Sequence, residues 1–323
     1  MQNTNIIMPL IISFYEDIVK NKGPSHITDL MILTIKSLIP SRDYEEVSID
    51  YNRYWEEIKL WKYYRRGENA SLLGVLGNIN PNIYWNHIDD SAYFRIMPII
   101  LANTDYTAIK REVIKNILFF TGNIETLIEA ILLSKLIYLL ILGEKKIIQN
   151  LKEEVIQFSQ MEFIDNHGDD FRIPIEKYIG NFPISFEKNK IYAINNLNLS
   201  NSQKFQNLRD SVNVILNNKD ARTPIGKCLK GYVENKTMEY YPLNNYYIEL
   251  GRYIYNLRKG KINLEALRIE KYNLPDIFQY DEGEVFYHSL LNRSKIIKKK
   301  KTDDKLITFV ENKTGIYKFT KIT

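Results

Sequence analysis

Between Thr121-Gly122-Asn123 and Gly143 lies a segment, Ile124 to Leu142, that is apolar on nearly every face of a helix and ends in Leu136-Ile137-Tyr138-Leu139-Leu140-Ile141-Leu142. A helix without a polar face must be covered all round, by lipid or by other helices. The segment is about as long as a bilayer is thick, but Glu125, Glu129 and Lys135 interrupt it, and charges there oppose insertion. It therefore predicts a central core helix wrapped by the rest of the chain. Just upstream, Asp105 offers an N-cap to a helix whose Ile109, Val113, Ile114 and Ile117 form one stripe. The break at Thr121-Gly122-Asn123 turns that helix back on the next as an antiparallel hairpin.

Helical periods fill the N-terminal half. Leu10, Phe14 and Ile18 recur at i, i+4, i+8 after Pro9, which is placed in a first turn, and Lys22-Gly23-Pro24 stops the element. No lysine or arginine precedes the apolar stretch Ile6 to Phe14, so it reads as a buried helix rather than a signal peptide. Thr28 is the expected N-cap of a helix through Leu38, ending near Pro40. From Asp43 the spacing of Val47, Tyr51, Tyr54, Ile58, Trp61 and Tyr64 predicts a longer helix, closed by Arg65-Arg66-Gly67. Residues 5–145 are expected to pack as one helical unit.

Further on, Asp165 to Asp170 and Asn195 to Ser202 read as surface loops, and helices resume at Gln203 to Leu216 and Tyr246 to Arg258. Beyond Asp281 the period becomes two. Leu306 to Val310 and Ile316 to Ile322 flank Glu311-Asn312-Lys313-Thr314-Gly315 as a hairpin, with Ser294 to Lys300 as a third strand. The expected organisation is a helical domain over 1–280 and a small β-rich segment over 281–323.

An apolar fraction of 45% and a charged fraction of 26% belong to an ordinary globular chain. The one cysteine, Cys228, cannot close an internal disulfide and no Cys/His cluster has zinc spacing, so a reducing, cytoplasmic compartment is expected. The formal charge of +5 is spread among acids along the sequence, which does not imply nucleic acid. The run Lys298 to Lys301 reads as a solvated strand edge. Asp165-Asn166-His167-Gly168-Asp169-Asp170 lacks calcium-loop spacing and reads as a polar turn. No phosphate-binding glycine loop or nucleophile elbow is present.

The stretch Asp89-Asp90-Ser91-Ala92-Tyr93-Phe94-Arg95-Ile96-Met97-Pro98 resembles the ADP-ribosylglycohydrolase motif of a glycine-rich turn, Ser-Ala-Met-Arg, an apolar pair and proline. The hairpin that follows is similar as well. In that family one helix ends at Thr-His, and the next begins with an acidic pair and runs to Gly-Glu. Here Thr121-Gly122-Asn123, Glu125, Glu129-Ala130 and Leu142-Gly143-Glu144 stand in the same order. The resemblance spans roughly Ser25 to Glu144. It implies an all-α, orthogonal helical bundle, to which the C-terminal strands would be an appendage.

In active members the resemblance implies a two-magnesium cleft that cleaves a glycosidic bond to ADP-ribose, with carboxylate and hydroxyl oxygens holding the ions. This chain departs from that pattern. His26, Ile27 and Thr28 stand where Thr-Asp-Asp is required, and isoleucine cannot bind magnesium. Glu16 and Asp17 are faint echoes of the N-terminal acid, and Gly122 replaces the histidine. Thr302-Asp303-Asp304 is a turn rather than the closing Asp-x-Asp-Thr. The expectation is therefore a protein with no metal site and no cofactor, magnesium entering only under a different alignment. It would bind a nucleotide-like ligand or a protein partner through Arg95, His26, Thr28, Thr121 and Asn123, away from membranes. The alternative is an enzyme that works without metal, with Asp89, Asp90 and His87 as its acid and base candidates and Arg95 as its anion-binding group.

Overall fold

The computed structural model describes residues 2–43, 45–89, 91–158, 160–200, 202–217, 219–234 and 238–322. It begins with α1 (Gln2–Lys20) and α2 (His26–Ser37), then a two-stranded antiparallel hairpin, β1 (Leu38–Pro40) and β2 (Val47–Ile49), and α3 (Tyr51–Tyr64). The short helices α4 (Ala70–Val75), α5 (Pro81–Asn86), α6 (Ala92–Arg95) and α7 (Met97–Ala102) lead into α8 (Tyr106–Phe120) and α9 (Ile124–Leu142). Seven more follow: α10 (Ile147–Gln157), α11 (Gln160–His167), α12 (Phe182–Leu197), α13 (Gln206–Asn217), α14 (Pro224–Val233), α15 (Asn245–Arg258) and α16 (Leu264–Leu267). The chain ends in an antiparallel meander of β3 (Val285–His288), β4 (Asn292–Lys301), β5 (Lys305–Asn312) and β6 (Gly315–Ile322).

The α9 helix is the centre of the helical body. Thirteen of its 19 residues are buried, and they face α6, α7, α8, α10, α12 and α13. Its ends follow from the sequence: Asn123 Oδ1 accepts the Thr126 amide at 2.9 Å, and Gly143 at φ 71° closes the C-terminus in the left-handed conformation that glycine takes without strain. Among the described residues no helix is long and apolar enough to cross a membrane. The two acids that interrupt the apolar surface are used across the core. Glu125 accepts the Phe205 amide at 2.9 Å and Glu129 the Leu208 amide at 2.8 Å, so α9 supplies acceptors to the otherwise unsatisfied N-terminus of α13.

Burial pushes the Glu129 carboxyl up to about 7, against hydrogen bonds from Tyr93, Leu208 and Asn207 that favour its ionised form. The folded chain therefore keeps a proton there through a pH range in which the unfolded chain, with its ordinary value of 4.5, has lost it. Stability from this group falls as pH rises from about 4.5 to about 7 and stays low above that, by about 3 kcal/mol at most. Glu129→Gln is expected to flatten that slope, gaining on the wild type at pH 8 but not at pH 4. Urea unfolding of both proteins across this range checks it; parallel curves would mean that Glu129 is ionised in the fold.

The all-α expectation is corrected. The molecule is mixed, helices dominating, with a four-stranded and a two-stranded sheet. β1 and β2 are three residues each, too short for a period to register, and β2 takes Val47 out of the helix expected from Asp43. That helix instead starts at Tyr51, where Asp50 Oδ1 accepts the Asn52 and Arg53 amides. Pro9 lies inside α1 rather than in its first turn. Ser25, not Thr28, is the N-cap of α2, and Thr28 turns inward. Much of the two proposed loops is helical, since α11 runs to His167 and α12 to Leu197.

The larger sheet carries a second core. Phe286, Ile296, Val310 and Phe319 cluster with Ile277, Phe278 and Leu60 of α3, and Tyr64 meets Tyr317 and Phe319 edge-on at 5.6 and 5.4 Å. Thus α3 belongs to both cores and fixes the sheet to the helical body. β3 pairs with β4 from Asn292 to Lys295; beyond it Lys298, Lys300 and Lys301 are exposed, while the half-buried Lys299 donates its amide to Glu282 Oε1.

Candidate functional site

Two buried polar knots hold Thr28, Asp89 and Arg95 of the residues singled out by sequence. In the first, Asp17 of α1 accepts the Ser25 and Thr28 amides at 3.0 and 3.2 Å and the Thr28 hydroxyl at 2.7 Å. Ser25 and Asn21 side chains complete its shell. Asp17 is thus the acceptor for the first turn of α2, and Thr28 spends its hydroxyl on it. His26, half-buried, packs where a Cβ on Gly67 would come 2.8 Å from its Nδ1.

In the second knot Arg95 Nη1 donates to Asp89 Oδ2 at 2.8 Å and its Nε to Asn116 Oδ1 at 3.0 Å. The guanidinium stacks over Phe120, 4.4 Å from the ring centre. Asn69 and Ser91 donate to Asp89 Oδ1 at 3.0 and 2.6 Å. Neither Asp89 nor Arg95 exposes any side-chain surface. Burial alone would raise the Asp89 carboxyl; the Arg95 charge and the bonds from Ser91, Arg95 and Asn69 outweigh it and hold Asp89 below its ordinary value. Asp90 lies outside the described residues.

A seam beside this knot joins α5 to the α8–α9 turn. Thr121 Oγ1 donates to the carbonyl of Tyr84 at 3.0 Å and, at 3.4 Å, to that of His87, a half-buried residue. Asn123 caps α9 and reaches the Trp85 carbonyl. Gly122 is explained here: a Cβ would sit 2.5 Å from Trp85 Cζ3 and 2.7 Å from Tyr84 Cε1. No side chain fits at that position, histidine included. The second knot and the seam adjoin each other through Thr126, whose Oγ1 accepts the Asp89 amide.

Glu16, Asp17, Ile27 and Phe94 converge with Lys20, Arg222 and Lys227 on one small cavity of about 100 Å³. The positions aligned with the metal-binding segments therefore do meet in space, but the cavity is well below the roughly 300–1,000 Å³ typical of small-molecule sites. Among the described residues no three His, Cys, Asp or Glu side chains gather as a metal site requires.

The large concavity is elsewhere. A groove of about 1340 Å³ runs between α2, α3 and the segment that follows it, the start of α15, α16 and the β6 side of the sheet. Nine lysines and arginines line it against two acids, Asp29 and Glu68, and both acids are already paired, with Arg66 and Arg65. Lys62, Arg268, Lys313 and Lys318 are exposed and have no ion-pair partner among the described residues. Six tyrosines share the lining. Burial keeps the Tyr64 and Tyr246 phenols well above their ordinary value, so they remain neutral donors. Sequence reasoning missed this site because its cations come from segments more than 200 residues apart, and Arg65-Arg66 taken locally is a helix stop.

No protein-family model matches the chain, and no curated protein matches it.

Proposed function

We propose that this chain is a non-hydrolytic binding protein whose ligand is anionic and nucleotide-like, held in the groove between α3 and the C-terminal sheet. One observation carries the reading: four exposed cations without an ion-pair partner among the described residues stand beside tyrosines in a groove whose two acids are already paired. Unpaired cations in a concave, tyrosine-lined site favour phosphate oxygens, and the rings favour a flat base. The missing carboxylates at His26, Ile27 and Thr28 argue against the magnesium chemistry that the resemblance to ADP-ribosylglycohydrolases implies. A cytoplasmic setting accords with Cys228, which is buried and whose thiol burial pushes up to about 12. A protein partner is the second reading, favoured by β6, the terminal strand of its sheet, beside which an extended acidic segment would pair.

Calorimetry with ADP and ADP-ribose tests the proposal. Binding is expected without magnesium, with ADP-ribose recovered intact and the melting temperature insensitive to magnesium alone, since an ion that bound the fold tightly would raise it. Reversing two charges, Lys62→Glu with Arg268→Glu, should weaken binding by about tenfold for each charge reversed. Unchanged affinity in that variant, or magnesium-dependent release of ADP-ribose from modified protein, would overturn the assignment.

A further inference from the structure

Resting on that reading, we propose that the groove's ligand is a single-stranded nucleic acid, which continues from the groove across the solvent face of the four-stranded sheet. The registers of β4, β5 and β6 place Lys298, Phe309 and Lys318 in one row across that face. Phe309 is half-buried and stands in register between the two lysines, which are exposed. One end of the sheet repeats the pairing of a ring and a cation, where Tyr287, 57% exposed, lies opposite Arg293. Tyr287 and Lys318 also line the groove, so groove and sheet face are one continuous surface.

Strand-edge protection accounts for lysines on β4 and β6. It does not account for a ring in register between two lysines, or for a second opposite an arginine, on the solvent side. Lys299, Lys305 and Lys321 pair with Asp281, Asp304 and Asp276, whereas Lys298 and Lys318 have no ion-pair partner among the described residues. Glu311 is the acid on this face, next to Lys295 in register. Rings spaced among free cations suit splayed bases with phosphates between them, which a duplex does not offer. At about 1340 Å³ the groove also exceeds the usual small-ligand site, as a polymer requires.

Fluorescence anisotropy with labelled oligothymidylates of increasing length tests this on the full chain. Affinity is expected to rise with length beyond one nucleotide and to fall at least about fivefold in Tyr287→Ala. The exposed triple variant Lys298→Ala, Lys300→Ala, Lys318→Ala should lower the slope of log affinity against log salt by about 2. If duplex DNA, polyglutamate or anionic vesicles bind as tightly as the oligothymidylate, the surface is a general polyanion or partner site and the inference fails. It fails equally if the lysine variant loses binding while Tyr287→Ala keeps it. Binding of ADP without binding of oligothymidylate leaves the groove's assignment standing and removes the nucleic acid; binding of neither removes both.

Discussion

Leu136→Asp is expected to leave no folded protein at room temperature. Leu136 is fully buried on α9, the helix against which α7, α8, α10 and α12 pack. Truncating such a leucine costs about 2–5 kcal/mol, and the unpaired charge, or the proton it must keep, adds several more. Folded domains are stable by only about 5–15 kcal/mol, and the two costs together are as large as that margin. Far-ultraviolet circular dichroism and urea titration are the measurements. A soluble Leu136→Asp protein with a wild-type unfolding midpoint would show that α9 is not the centre of the helical body.

That helix was also the most legible part of the sequence. Asp105, Asn123 and Gly143 are local signals, each acting within a few residues of itself, and the structure uses Asp105 and Asn123 as N-caps and Gly143 as a C-cap. The strands from Ser294 onward were legible for the same reason, their alternation being local. What could not be read depends on contacts distant in sequence. Glu125 and Glu129 look like interruptions of an apolar run until α13, some 80 residues on, brings its amides to them. Thr28 looks like a cap until Asp17 takes its hydroxyl, and Ser25 then serves as the cap. Gly122 looks like a lost catalytic position until Trp85 and Tyr84 close over it.

Local and distant signals separate in the same way at the candidate site. A net charge of +5 over 323 residues averages away the groove, where basic residues of α2, α3, the α16 end and the β5–β6 hairpin face one another. The residues conspicuous in sequence, Asp89 and Arg95, instead turn inward and form a knot. Groups that bind a ligand from solvent must keep unspent hydrogen-bonding capacity, and Asp89 has spent its own on Arg95, Asn69 and Ser91. Lys62, Arg268 and Lys318 have no ion-pair partner among the described residues.

The knot's own energetics give the second large effect. Asp89→Asn or Arg95→Met alone is expected to destabilise by about 3–5 kcal/mol, because each strands the opposite charge in a site with no exposed surface. The double variant Asp89→Asn with Arg95→Met should recover much of that loss. Arg95 Nη2 is buried without a hydrogen-bond partner among the described residues, so removing the ion pair also removes one such donor. A double-mutant cycle by urea unfolding measures the coupling. Strong non-additivity, with the double variant more stable than either single one, is the expected result. Additive losses would mean that Asp89 and Arg95 each hold the turn through their separate contacts with Asn69, Ser91, Asn116 and Phe120, and that their mutual charge contributes little.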